Sequence, residues 1–131
     1  MEELDELRYI YQIYQNQYVL LNNSINLNLQ ELQELNSVQK ALENSDTIKN
    51  NSTLMNLGAN FYIRARVDKF DTVIVGVGGG YLMEKDSDSA KNFVSKLIQK
   101  KTENVNKLVK SKRELEAGMM DLSYKIDAVG N

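Results

Sequence analysis

The stretch "VIVGVGGGYLMEK", residues 73–85, holds the pattern most suggestive of chemistry in this 131-residue chain. Gly78, Gly79 and Gly80 follow alternating valines, and Lys85 stands five residues beyond. Glycines set between a strand and a helix N-terminus can cradle a phosphate, because backbone amides and the helix dipole then face the anion. Here Tyr81 to Glu84 read as strand, and a helix begins only near Asp88. The spacings GxxxxGK(S/T) and GxGxxG are both missing. A tight hairpin needing positive φ accounts for Gly78, Gly79 and Gly80 with no ligand. They are read as turn residues. The competing reading, a small nucleotide-binding enzyme, predicts melting that depends on nucleotide.

Other means of catalysis are few. Without cysteine, histidine or tryptophan, the chain has no thiol nucleophile, disulfide, histidine acid–base pair or usual zinc site. No catalytic residue, metal or cofactor is expected, and the chain is read as a non-enzyme. Lys96 to Arg113 carries seven cations and one acid, Glu103. With a net charge of −2 and no interleaved aromatics, that run reads as a solvated helix face and not as a nucleic-acid site. The acidic start, "MEELDEL", has no apolar core of a signal or transit peptide. No stretch approaches the roughly 18 apolar residues of a membrane span. A cytoplasmic location without membrane or nucleic-acid partners is the expectation.

The elements that flank the glycines are the more informative. From Leu4, apolar residues recur in alternating steps of three and four: Leu4, Leu7, Tyr11, Tyr14, Tyr18, Leu21, Ile25, Asn28, Leu32, Leu35, Gln39, Leu42. This is a coiled-coil seam, on a helix expected over about 2–44. A second seam runs Val94, Ile98, Lys101, Val105, Leu108, Lys112, Leu115, Met119, Leu122, Ile126, Val129, on a helix over about 87–130. Asp86, Ser87 and Asp88 are its N-cap candidates. Gly118 is an interior weakness of about 1 kcal/mol.

Pairing the helices antiparallel, with partner numbers summing to 140, sets Asn28 against Lys112 and Gln39 against Lys101. A polar layer in a seam fixes register, so these four are the expected register layers. In that register the first eight residues overhang, with residue 131 opposite Tyr9. Leu4, Leu7, Ile10, Tyr11, Met119, Leu122, Ile126 and Val129 then form an apolar tip at which Leu4 and Leu7 lack a partner in the chain.

Between the helices the period changes from 3.5 to 2. Phe61, Ile63, Ala65 and Val67 alternate with Tyr62, Arg64 and Arg66, reading as a half-buried strand. Val73, Val75 and Val77, continued by Tyr81 and Met83, suggest a strand covered on both sides, and Leu54 to Leu57 a short strand ending at Gly58. Residues 44–53 read as a polar loop. Two short hairpins, over about 53–85, are marginal alone and expose their edges. Leu54, Leu57, Phe61, Ile63, Val73, Val75, Val77, Tyr81 and Met83 are therefore expected at an interface with other chains. The fold class is α+β, in a single domain over 1–131: an antiparallel two-helix coiled coil linked by two hairpins that join an intersubunit β-barrel.

The segment "LMNLGANFYIRARVDKFDTVIVGVGGGYLMEKDSDSAKNF" resembles the α-class subunits of prefoldin, archaeal prefoldin alpha and eukaryotic prefoldin subunit 5. The likeness rests on Leu57-Gly58, the alternating strand Phe61 to Val67, the hairpin Val75 to Gly80, the strand Tyr81 to Lys85, and Ala90. "LGANFY" is also similar to the prefoldin-like protein called ubiquitously expressed transcript, where many α-class members have "LVPVG". The resemblance implies a hexamer with β-class prefoldin subunits. Its coiled-coil tips would hold unfolded client proteins without ATP and deliver them to a group II chaperonin. The alternative it leaves open is a structural subunit of a prefoldin-like scaffold in transcription or macromolecular assembly.

Overall fold

The computed structural model describes residues 2–130. Residues 1 and 131, and with them the expected pairing of residue 131 with Tyr9, lie outside the described residues. In chain order the elements are α1 (Glu2–Glu43), α2 (Ser45–Ile48), β1 (Ser52–Gly58), β2 (Phe61–Arg66), β3 (Thr72–Gly78), β4 (Tyr81–Asp86) and α3 (Ser87–Gly130). Proline is absent throughout, so neither long helix meets an obligate break. Where a polar loop was expected, Ser45–Ile48 forms one helical turn, closed by the Thr47 amide donating to the Asn44 carbonyl at 3.0 Å.

Contacts group the chain into two compact units: Met1–Leu32 with Lys100–Asn131, and Gln33–Gln99. In the first, α1 and α3 pack antiparallel through the heptad seam. Ile25, Val105 and Leu122 are buried there, and the other seam residues are half-buried, apart from the exposed Val129. The periodicity thus located the packed faces correctly. In the second unit Leu42, Ala90 and Val94 form a small core against which Phe70, Val73 and Ile98 pack. Phe70, in the link between β2 and β3, anchors the hairpins to that core.

The seam register differs from the expected one by about one heptad. Lys101 pairs with Glu31 at 2.5 Å, and Lys112 lies over the Tyr18 ring, 5.5 Å from its centroid. A Cβ added to Gly118 would meet the Tyr14 ring at 3.3 Å. These pairs have numbers summing to 130–132, not 140. Asn28 donates to the carbonyl of Ser24 on its own helix, 2.7 Å away, and Gln39 donates to Ser95 Oγ at 3.4 Å. The four expected layer residues therefore do not meet each other. A slip of seven residues leaves the apolar repeat intact, so periodicity alone is blind to it. The polar residues decide, and chemistry matters more than polarity. An amide facing an ammonium leaves the cation without an anion; the observed register gives Lys101 a carboxylate and Lys112 a ring face. Gly118 is not a mere weakness either, since it makes room for Tyr14.

The slip also removes the expected overhang. Leu4 and Leu7 are half-buried within this unit and not without cover.

Candidate functional site

Each hairpin is its own two-stranded sheet: β1 pairs only with β2, and β3 only with β4. The registers match residue for residue at an offset of 20. Ser52 faces Arg66 as Thr72 faces Asp86, and Gly58 faces Phe61 as Gly78 faces Tyr81. Each has a one-residue irregularity before its turn, at Leu57 and at Val77. The two-residue loops are Ala59-Asn60, at φ 50° and 64°, and Gly79-Gly80, at φ 61° and 80°. Both central residues in the left-handed region mark the hairpin turn whose twist matches that of the strands. Gly58 and Gly78, at φ 109° and 104°, precede them.

This geometry settles what the glycines do. A Cβ on Gly78 or Gly80 would find no atom within 4 Å, so no close approach demands glycine there; backbone conformation does. The helix N-terminus lies beyond the whole of β4, at Ser87. The cap of that helix is Asp86, among the three candidates, whose Oδ1 accepts from the Ser89 amide at 2.7 Å. That hydrogen bond holds the Asp86 carboxyl below its ordinary value. Lys85 does not reach back to the glycines: its ammonium sits 4.9 Å from the centroid of the Phe93 ring.

The hairpins leave their apolar side chains in solvent. Phe61 is 70% exposed, Ile74 70%, Leu82 72% and Tyr81 75%; Leu54, Leu57, Ile63, Val77 and Met83 are exposed as well. Only Val73 and Val75 of the expected interface set are half-buried. The half-buried face expected of β2 is thus covered only at Ala65 and past its end at Val67, and β3 is not covered on both sides. The reason is physical: a single chain supplies no second layer for either sheet. Each large apolar side chain left out would contribute about 1.5–3 kcal/mol if fully buried.

At the end of the first unit the expected tip residues divide. Leu122 is buried and Leu4, Leu7, Tyr11, Met119 and Ile126 are half-buried, whereas Ile10 and Val129 are exposed. Tyr11, Tyr18, Glu116, Met119, Met120 and Ser123 line a groove of about 340 Å³. The large exposed side chains there are Tyr9, Met120 and Tyr124. Tyr124 escaped sequence reasoning because it lies off the seam; that position itself was the available signal.

Among the described residues no helix is long and apolar enough to cross a membrane, and no three acidic residues converge as a metal site would require.

The sequence profile of the family described as "Prefoldin subunit" matches residues 14–131. The chain belongs to the prefoldin subunit family. It is similar to the prefoldin subunit alpha of Pyrococcus horikoshii, 28% identical over 130 residues, spanning 98% of this chain and 88% of that one. The prefoldin subunit alpha of Haloarcula marismortui is 33% identical over 63 residues, covering 48% of this chain and 41% of the relative's length. For that of Halobacterium salinarum the match is 53% over 34 residues, and the chain spans 22% of the relative. Among solved structures, filamentous prefoldin from Methanocaldococcus jannaschii has the same fold, with a TM-score of 0.72 at 21% identity over 95% of this chain and 99% of that one. These relatives are prefoldin subunits alpha. The chain spans less than half the length of the two halophilic relatives it matches.

Proposed function

We propose that this prefoldin-family chain is an α-class subunit of a hexameric, ATP-independent co-chaperone, two copies assembling with four β-class subunits in the cytoplasm. The observation that carries the reading is the pair of two-stranded sheets whose apolar side chains are exposed. Hairpins this small are marginal alone, and their unpaired edges and apolar faces call for strands from other chains. An intersubunit β-barrel supplies both.

The coiled-coil end would then meet clients. Ile10 and Val129, joined by Tyr9, Met120 and Tyr124, present apolar surface without opening the seam. Leu4, Leu7, Tyr11, Met119, Leu122 and Ile126 would join them only where the helix ends separate. Weak contacts at several tips give retention by avidity, and release to a group II chaperonin needs no chemistry in this chain.

The test is native mass spectrometry of the chain co-expressed with β-class subunits, followed by a light-scattering assay with an aggregating client and no nucleotide. A complex of two copies with four partners that suppresses aggregation is expected. Met120→Ser with Tyr124→Ser should weaken suppression while the hexamer persists. A chain that stays alone, or a larger scaffold of unrelated proteins without client protection, would overturn the reading.

A further inference from the structure

The coiled-coil end of α1 and α3 carries charge as well as apolar surface. Over residues 2–10 and 116–130, seven carboxylates stand against two cations, Arg8 and Lys125. Lys125 is itself engaged, 3.1 Å from Asp121 on its own helix. Farther along α3, residues 100–113 reverse the sign, with six cations and one acid, Glu103. Arg113 lies about 16 Å of helix from Tyr124, and charges are largely screened beyond about 8 Å in physiological salt. The two regions therefore act separately. The carboxylates stand beside the exposed apolar side chains. On α1, Asp5 and Glu6 precede Tyr9 by four and three residues; on α3, Glu116 precedes Met120 by four and Asp127 follows Tyr124 by three. Such spacings set side chains on one helix face. All seven are exposed, Tyr9 at 67% and Tyr124 at 69%, and all lie in the first compact unit. Glu116 also lines the groove of Tyr11, Tyr18, Met119 and Met120, whose lining holds no cation.

We propose that this end selects unfolded segments in which lysine or arginine flanks aromatic and aliphatic side chains. The proposal rests on the client-binding reading above and names the chemistry of the client. Two observations choose that occupant. The first is charge: a basic segment is drawn by carboxylates on both helices, whereas an acidic one is repelled. The second is the ring faces. Tyr9 and Tyr124 present rings to solvent with carboxylates one turn away, a setting that favours a cation over the ring. The chain makes that contact twice itself, with Lys85 4.9 Å from the centroid of Phe93 and Lys112 5.5 Å from that of Tyr18. Met119 and Met120 can repack around apolar side chains of different shape, so the apolar part of the segment need not have a fixed sequence. An unfolded segment brings cations and large apolar side chains together within a few residues. A folded monomer rarely exposes a contiguous apolar patch of that kind.

Neither cysteine nor tryptophan occurs in the chain, so one label reads this end alone. A bimane fluorophore is attached at Ser123→Cys, in the groove wall, before assembly with β-class subunits; tryptophan quenches it on contact. Three Trp-Leu-Phe peptides, flanked on both sides by paired lysines, serines or glutamates, are then titrated. Affinity should fall in that order, by at least about tenfold from lysine to glutamate in low salt, and the spread should close as salt rises to about 0.5 M. The full chain alone should give the same order. Asp5→Asn, Glu6→Gln, Glu116→Gln and Asp127→Asn together should bring the lysine peptide down to the serine peptide's affinity, with unchanged helix content by circular dichroism. Reduced, unfolded ribonuclease A, which is basic and lacks tryptophan, should displace the lysine peptide, and the native protein should not. Equal affinities for the three peptides would overturn the selectivity and leave the client reading standing. A preference indifferent to salt or to the four substitutions would overturn it as well. So would displacement by native ribonuclease A, which would mark a folded basic partner. No quenching by any peptide would overturn both the selectivity and the client reading.

Discussion

The two hairpins solve one backbone problem with different residues. Both place two consecutive residues at positive φ after a glycine near φ 105°, at positions 20 apart. The β3–β4 hairpin meets this with Gly79 and Gly80. The β1–β2 hairpin meets it with Ala59 and Asn60, and supports the preceding bend by a side chain: Asn56 Oδ1 accepts from the Gly58 amide at 2.7 Å. The matching position in the other hairpin is Gly76, which has no such group. The difference teaches that the glycine run is one of two ways to make the same turn. A phosphate cradle would need features that the β1–β2 hairpin lacks, yet the two backbones agree.

The comparison yields a graded series, best read by hydrogen exchange of the strand amides in the assembled complex. Gly58→Val and Gly78→Val should be the most damaging, each costing about 1–3 kcal/mol, because a β-branched residue is forced to a φ above 100°. The two losses should be alike, and a marked inequality would break the equivalence of the hairpins. Next comes Gly79→Ala, at about 1–2 kcal/mol. Its Cβ meets only ordinary contact with Tyr81 at 3.4 Å, so the cost is conformational. Asn56→Ala should loosen only the β1–β2 hairpin, by about 0.5–1.5 kcal/mol. Ala59→Gly should tighten that same hairpin by less than about 1 kcal/mol, since relief of strain is partly offset by greater freedom of the unfolded chain.

The last prediction concerns pH and separates the hairpins at their ends. Asp86 caps α3, whereas the matching residue at the end of β2 is Arg66. The Ser89 hydrogen bond lowers the Asp86 pKa in the folded chain. Its contribution is therefore present above the unfolded aspartate value and lost as pH falls through the lowered folded one. Exchange in the first turn of α3 should accelerate in that acidic window, and Asp86→Asn should flatten the response.

Much of this was legible in the sequence, in a way that depended on the kind of signal. The seam positions were plain because burial at every three to four residues leaves a period. The register was not, since Leu7 or Tyr14 fits as well one heptad along; only the need of Lys101 for Glu31 and of Lys112 for Tyr18 discriminates. The strands were plain from alternation, but alternation does not say who covers them, and Phe61 and Ile74 are bare because their cover is not in this chain. The turn at Ala59-Asn60 could have been read from the spacing it shares with Gly79-Gly80.

The central claim is that both hairpins are built for partners and not for a ligand. Amide hydrogen exchange of the isolated chain, at a dilution where its mass is that of a monomer, against the chain in the proposed hexamer, tests it most directly. Slow exchange in the Leu35–Leu42 and Val94–Ile98 helix segments of both samples, with β1 to β4 protected only in the hexamer, is the predicted result. Hairpins equally protected in the monomer would contradict the claim, as would protection of residues 78–80 brought on by nucleotide.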